Sequence, residues 1–398
     1  MDLYIQMGHG MQSMSEDLIS QWGEGSLILS PVNSTEDRTE TFANKARKLG
    51  AKLLFDPQLY YPRKVHQKLV SYSYWPNGDP VGFENGLCAS TVEALIKLNQ
   101  KLATDSVILP SCWTTQIDNH WVSFQAKVVA EAKKLVPTSS LYHTIAVQSE
   151  VLMDETQVEE IISRASNWDV DGCYLVCEHP SGGYFVENPI WLANLLMLVS
   201  GLKREQKKVV VGYANHQGLA LACSKCDAIA SGNFLNVRSF EPSRFEDPGE
   251  PTPSRRAKWY YCPQSLSEFK IPFLDVAKRM GVLESMKAEG PMRNKYSESL
   301  FSADLPTTGG YTERDSHCHY LWCLREQCRL ISRDSFQETL DANRLFLETA
   351  NQFLDGLHDL GIRGQARDFS DFFDTNLAAL SILKKEHGFM LENEWDTL

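Results

Sequence analysis

Polar and titratable side chains recur in this sequence at one kind of place, immediately after a short apolar run. They are His9, Asn33, Asp56, Ser111, Gln148, Glu178, His179, Asn215, His216, Asn236 and Arg238. Amides and carboxylates gathered at one concave site offer paired donors and acceptors to ring nitrogens and carbonyls, which is the chemistry of reading a heterocycle edge. Taken singly, each is as readily a cap or a loop residue. Asp56 differs, because Leu53-Leu54-Phe55 before it and Pro57 after it end a buried strand on a carboxylate that solvent alone need not satisfy. His9, Glu178 and His216 could surround a metal in a barrel hydrolase, yet no HExxH or HxH frames them. Two cysteine clusters raise zinc instead: Cys223-x2-Cys226, and His317-Cys318-His319 with Cys323 and Cys328. Neither has the second CxxC or spaced His pair of a finger or ribbon, and both lie in helical patterns, so they read as core thiols. No metal or other cofactor is expected.

The elements that must position these residues are short apolar runs rich in Val, Ile, Leu and Tyr, each followed by a helix-forming stretch. Eight strands are expected: Leu3–Gly10, Ser26–Pro31, Ala51–Gln58, Ser106–Cys112, Leu141–Ser149, Gly172–His179, Lys208–Ala214 and Asp227–Gly232. Between them, Glu36–Leu49, Thr91–Leu102, His120–Leu135, Asp154–Ser166, Trp191–Lys203 and Gln217–Cys223 carry helical spacing. Eight βα units predict an α/β protein with a (β/α)8 barrel over residues 1–240, a doubly wound sheet being the alternative. In a barrel the strand C-termini face one pocket. Residues 241–264, rich in proline and charge, predict an extended linker, and 265–398 a helical region with helices over Leu266–Glu289, Ser316–Ser332, Ser335–Leu360 and Phe369–Phe389. The long connection after the third strand carries Tyr60, Tyr61, Tyr72, Tyr74, Trp75 and Phe83 with a turn at Pro76–Pro80. It reads either as an aromatic lid or as a subdomain that buries its own rings.

Composition narrows the partners. The 398 residues carry 39 Lys plus Arg against 51 Asp plus Glu, a formal charge of −12, so no overall field draws in a polyanion. Ten cysteines are too dilute for a disulfide scaffold. The start Met1-Asp2-Leu3-Tyr4 lacks a secretory pattern, and the longest apolar stretch, Ile190–Leu202, falls short of a bilayer span, so a cytoplasmic protein is expected.

The order of several short motifs resembles the tRNA-guanine transglycosylases, barrels that exchange guanine for a 7-deazaguanine base of the queuosine type. Leu54-Phe55-Asp56 is similar to the end of that family's third strand, and Ile145-Ala146-Val147-Gln148 to the end of its fifth. Val210-Val211-Gly212-Tyr213-Ala214 and Cys226-Asp227-Ala228-Ile229 look like its seventh and eighth strands. Resemblance and strand-end position together imply a base-binding set of Asp56, Ser111, Cys112, Gln148, Glu178, His179, Asn215 and His216. The departures are specific. Leu109-Pro110-Ser111-Cys112 stands where the family has a base-reading Asp before its Cys, and Ala230 stands where the family's nucleophilic Asp attacks the ribose. The family's zinc motif is absent. If base exchange into DNA or tRNA survived, Asp56 and Asp227 would be its catalytic carboxylates, although Asp227 is expected at the start of its strand, at the bottom of the barrel. Without a carboxylate nucleophile the covalent glycosyl intermediate has no route. The chain then resembles the transglycosylase-like proteins of bacterial anti-phage CBASS operons, which implies recognition of a deazaguanine linked to the N-terminus of a partner nucleotidyltransferase, and a homodimer.

Overall fold

The computed structural model describes residues 1–60, 67–76, 88–242 and 257–398. Tyr61, Phe83, the turn after Pro76 and the prolines at 248, 251 and 253 lie outside the described residues. The first part of the chain alternates strands and helices: β1 (Asp2–Gln6), α1 (Gln12–Trp22), β2 (Gly25–Leu29), α2 (Glu36–Lys48), β3 (Ala51–Phe55), α3 (Gln67–Val70), α4 (Cys88–Leu102), β4 (Val107–Ile108), α5 (Asn119–Leu135), β5 (Leu141–Val147), α6 (Glu155–Ala165), β6 (Gly172–Cys177), α7 (Pro189–Arg204), β7 (Lys208–Val211) and β8 (Ala228–Ser231). Every expected strand is present, shorter at its C-terminal end because the last residues of each apolar run leave the ladder. The expected helix at Gln217–Cys223 is a 3-10 segment, His216–Ser224.

All eight strands are parallel in the order β3-β2-β1-β8-β7-β6-β5-β4, so β1 and β8 pair and the sheet curls into a barrel. The remaining joint, between β3 and β4, has no full ladder among the described residues. There the Asp105 N–H donates to the Leu53 carbonyl at 2.8 Å, and the Leu53 N–H donates to the Asp105 carboxylate at 2.7 Å.

Side chains alternate between the barrel interior and the helix layer. Ile28, Leu54, Ile108, Tyr142, Ala146, Tyr174, Val176, Val210, Ala228 and Ala230 form the interior. Branched aliphatics usually fill such a core. Here Tyr174 crosses it, and small residues opposite make the room: a Cβ on Gly212 would lie 2.5 Å from the Tyr174 hydroxyl.

Beyond the barrel come β9 (Trp259–Cys262) and β10 (Ser267–Lys270), an antiparallel hairpin, then α8 (Ile271–Arg279), α9 (Glu298–Ser302), α10 (Glu313–Ile331), α11 (Phe336–Asp359) and α12 (Phe372–Glu394). Two expectations are corrected here. The linker 241–264 contains β9, and the helix expected over Leu266–Glu289 is a strand followed by the nine-residue α8. The aromatic run Trp259-Tyr260-Tyr261 favours a strand. The three long helices pack on the barrel, α12 against α7, whose residues Trp191–Lys203 are all buried. Among the described residues no helix is long and apolar enough to cross a membrane.

Candidate functional site

Asp56 lies just past β3, on the inward face shared with Leu54, and is fully buried. Its Oδ1 accepts the Gln58 N–H at 3.0 Å, and its Oδ2 accepts the hydroxyls of Tyr60, Tyr174 and Tyr213, each at 3.1 Å. The Tyr60 and Tyr213 oxygens stand 2.7 Å apart, and the Tyr174 hydroxyl also reaches Gln6 Oε1 at 3.1 Å. Five oxygen–oxygen contacts therefore share three phenol protons. Below about pH 6 a proton on Asp56 supplies a fourth. Burial, opposed by its hydrogen bonds, pushes the Asp56 carboxyl up to about 6, and burial pushes the three phenols well above their ordinary value. Gln58 and Tyr213 both hold left-handed backbone, φ 53° in each, so two non-glycine residues are strained in order to serve one carboxyl. Phe240 packs edge-on against Tyr60 at 5.5 Å and covers the cluster. Of the described aromatics in the connection after β3, Tyr60 alone reaches Asp56, whereas Tyr72, Tyr74 and Trp75 are buried, the first two against Phe55, as in a segment that buries its own rings.

The rest of the expected set divides by face. Gln148 and Glu178 follow β5 and β6 on the inward register, with Tyr142 and Ala146 and with Tyr174 and Val176, and both are half-buried at the rim. Burial raises the Glu178 carboxyl, and its charged neighbours are Glu150 and Glu241. Ser111 and Cys112 do not face the mouth. Ser111, on the outward register set by Ile108, accepts from Gln125 of α5, and Cys112, beyond the end of the two-residue β4, joins the core between barrel and helices. Asn215 caps the 3-10 segment by accepting the Gln217 N–H, and its amide donates to the Tyr184 carbonyl. His179 contacts the Gly183 carbonyl and Trp191. His216 is enclosed by Phe185, Tyr261, Phe369 and Phe372, where burial drives its imidazole down to about 3 and keeps it neutral. His216 thus serves packing where the C-terminal region meets the barrel, while the contacts of Asn215 and His179 stay within the loops after β7 and β6 and α7.

Asp227 precedes β8 at the opposite end of the barrel, where its Oδ2 accepts from Lys203 Nζ at 2.9 Å and from the Val209 N–H at 2.7 Å. It cannot share a substrate with Asp56. Ala230 faces the interior on β8, fully buried. Cys223, Cys226, Cys318, Cys323 and Cys328 are free buried thiols, each raised by burial. His9, Glu178 and His216 stand on three separate loops, and among the described residues no group of three or more His, Cys, Asp or Glu converges on a metal position.

Two cavities open at the strand C-terminal face and meet at His9. One, of about 380 Å³, lies over β1 and β2 and is lined by Gly8, His9, Ser30, Asn33 and Arg38. The other, of about 510 Å³, lies between the loop after β8 and the C-terminal region, lined by His9, Asn233, Arg238, Trp259, Glu268, His317 and Arg367 among others. Neither is lined by Asp56, Gln148 or Glu178. In the larger cavity the buried Arg238 donates to the carbonyls of Gly232 and Asn233 and to Glu268 Oε1 at 2.7 Å, and its guanidinium lies over Tyr320. Glu268 also accepts from Arg367. Burial alone would raise the Glu268 carboxyl, but the two guanidinium groups hold it down at about 2. His9, Asn236 and Arg238 were legible as strand-end residues. Trp259 and Glu268 were not, since the hairpin was read as linker and helix.

No family model and no curated protein matches this sequence. Among solved structures, an endo-β-1,4-mannanase from Thermotoga petrophila is similar at a TM-score of 0.41 and 14% identity, over 57% of this chain and 67% of that one. A chitinase from Pseudoalteromonas aurantia is similar at 0.38 and 11%, over 59% and 95%, and a 3-dehydroquinate dehydratase from Aquifex aeolicus VF5 at 0.36 and 7%, over 61% and 95%. At these levels they say nothing of what this chain binds or transforms.

Proposed function

We propose that this chain is a transglycosylase-like barrel that recognises a guanine or 7-deazaguanine base and does not exchange it into nucleic acid. The base is carried on the N-terminus of a partner nucleotidyltransferase, in an anti-phage setting, and the protein acts as a homodimer. One observation carries the loss of exchange: the buried interior position on β8 is Ala230, while Asp227 is held by Lys203 at the far end of the barrel. Asp56 offers no replacement nucleophile, since its reacting oxygen is ringed by three tyrosines. A charge of −12 further opposes approach of a phosphate backbone.

The test is to incubate the protein with radiolabelled guanine and either tRNA or duplex DNA, beside Asp56→Ala and Asp227→Ala variants. No incorporation is expected. Incorporation that both substitutions abolish would establish a base-exchange enzyme and overturn the proposal.

A further inference from the structure

The smaller cavity, over β1 and β2, gathers hydrogen-bond donors and excludes carboxylates. Among the described residues that line it none is Asp or Glu, in a chain holding 51 of them, and Arg38 and His9 are the two that can carry charge. The Arg38 side chain is exposed and has no ion-pair or hydrogen-bond partner among the described residues. A cavity of this sign opposes the field of the −12 chain around it.

The backbone adds donors. β1 runs through Gly8-His9-Gly10 into α1, whose first residues Gln12 and Ser13 line the same cavity and are exposed. The amides of Gln12, Ser13 and Met14 lie in the first turn, where a helix has no acceptor of its own to offer. No side chain caps them and that turn holds no acid, whereas Asp118, Asp154 and Asn188 cap α5, α6 and α7. Gly10, at φ 69°, has no atom within 4 Å of where a Cβ would stand, so the approach to these amides is open.

Ser30 is an independent sign of a ligand. It lines the cavity, is 5% exposed, and its hydroxyl accepts from Gln58 Nε2 at 2.8 Å and from Asn33 Nδ2 at 3.1 Å. With both lone pairs taken, its proton is the bonding position left, and among the described residues nothing accepts it. A buried donor left unpaired costs about 1–3 kcal/mol, which an anionic oxygen would recover.

We propose that this cavity binds a small phosphate monoester, with its phosphoryl oxygens on the α1 N-terminus, the Arg38 guanidinium and the Ser30 hydroxyl. Donors from three directions suit a tetrahedral oxyanion, and a helix end after a glycine-bracketed turn favours its charge. The cavity of about 380 Å³ exceeds what a free phosphate fills, and its floor of Met7, Met11, Leu29 and Phe42 is apolar, which calls for an organic group on the ester. The proposal is separate from base recognition and stands or falls without it.

Calorimetry on the full chain, with phenyl phosphate, inorganic phosphate and phenol as probes, tests it. Phenyl phosphate is expected to bind, inorganic phosphate more weakly, and phenol not at all. Arg38→Gln is expected to weaken phenyl phosphate at least about tenfold at an unchanged melting temperature, since it removes a charged donor that has no partner in the free chain. Gln12→Glu puts a carboxylate in the first turn of α1, which complements the helix end, so the melting temperature is expected to hold or rise while binding is lost. A merely structural role for that turn would not separate the two readouts. Arg333→Gln removes the same charge beside Asp227 at the far end of the barrel and is expected to leave affinity within about twofold. Equal weakening by Arg333→Gln, normal binding by Arg38→Gln and Gln12→Glu, or a wild-type chain that binds neither phosphate would each overturn the proposal. Inorganic phosphate binding as tightly as phenyl phosphate would assign the site to the free ion and overturn the ester.

Discussion

At the scale of single residues, Asp56 sets a measurable dependence on pH. Its folded carboxyl is held at about 6, above the ordinary 3.8, so the folded chain binds the proton more tightly than the unfolded chain. That contribution to stability is complete below the unfolded value and is lost as pH rises through the folded one. Between pH 4 and 7 the wild type is therefore expected to lose about 2 kcal/mol that Asp56→Asn retains, most of the worth of a shift of about two pKa units at about 1.4 kcal/mol each. Urea melts of both proteins across that range check it, and parallel profiles would refute the buried, proton-holding carboxyl. The position of Asp56 was legible from sequence because an Asp-Pro pair ends an apolar run. Its surroundings were not. Tyr60, Tyr174 and Tyr213 come from three distant segments, and only the closed barrel brings their hydroxyls to one oxygen.

Among the elements, α7 shows why periodicity both succeeds and misleads. Trp191 to Lys203 are buried on every side, which in sequence looks like the start of a membrane span. The outer side is covered by α12. Gln217 and Asn376 exchange amide hydrogen bonds, Ser200 meets His387 at 2.8 Å, and Phe372 stacks on Phe185 at 4.9 Å. The buried Phe372, Phe373, Leu380, Leu383 and Leu391 of α12 are each worth about 1.5–3 kcal/mol, together comparable to the whole stability of about 5–15 kcal/mol of a typical domain. A chain ending at Asp371 is expected to show no cooperative melt and to collect in the insoluble fraction. A soluble, cooperatively folding truncation would mean that the barrel stands without its C-terminal helices. The β9–β10 hairpin was hidden by a different cause: four-residue strands are too short for alternation to outweigh a charged, proline-rich approach.

For the whole molecule, the eight-strand order was legible because parallel strands buried on both faces leave continuous apolar runs, and the barrel follows from their number. What sequence could not supply was the quality of closure. Seven of the eight joints are laddered, while β3 meets β4 through Asp105 and Leu53. A ring fastened once by a side chain behaves as a bracelet with a clasp, and it opens there before it breaks elsewhere. Hydrogen exchange under native conditions is expected to find the amides of Leu53 and Asp105 exchanging ahead of those in β6, which is laddered on both sides, and Asp105→Ala is expected to widen the gap. Equal protection at both places would show the clasp to be as strong as a ladder. Since β3 runs directly into Asp56, unfastening it is the least costly way for water to reach the carboxyl buried at the barrel's centre.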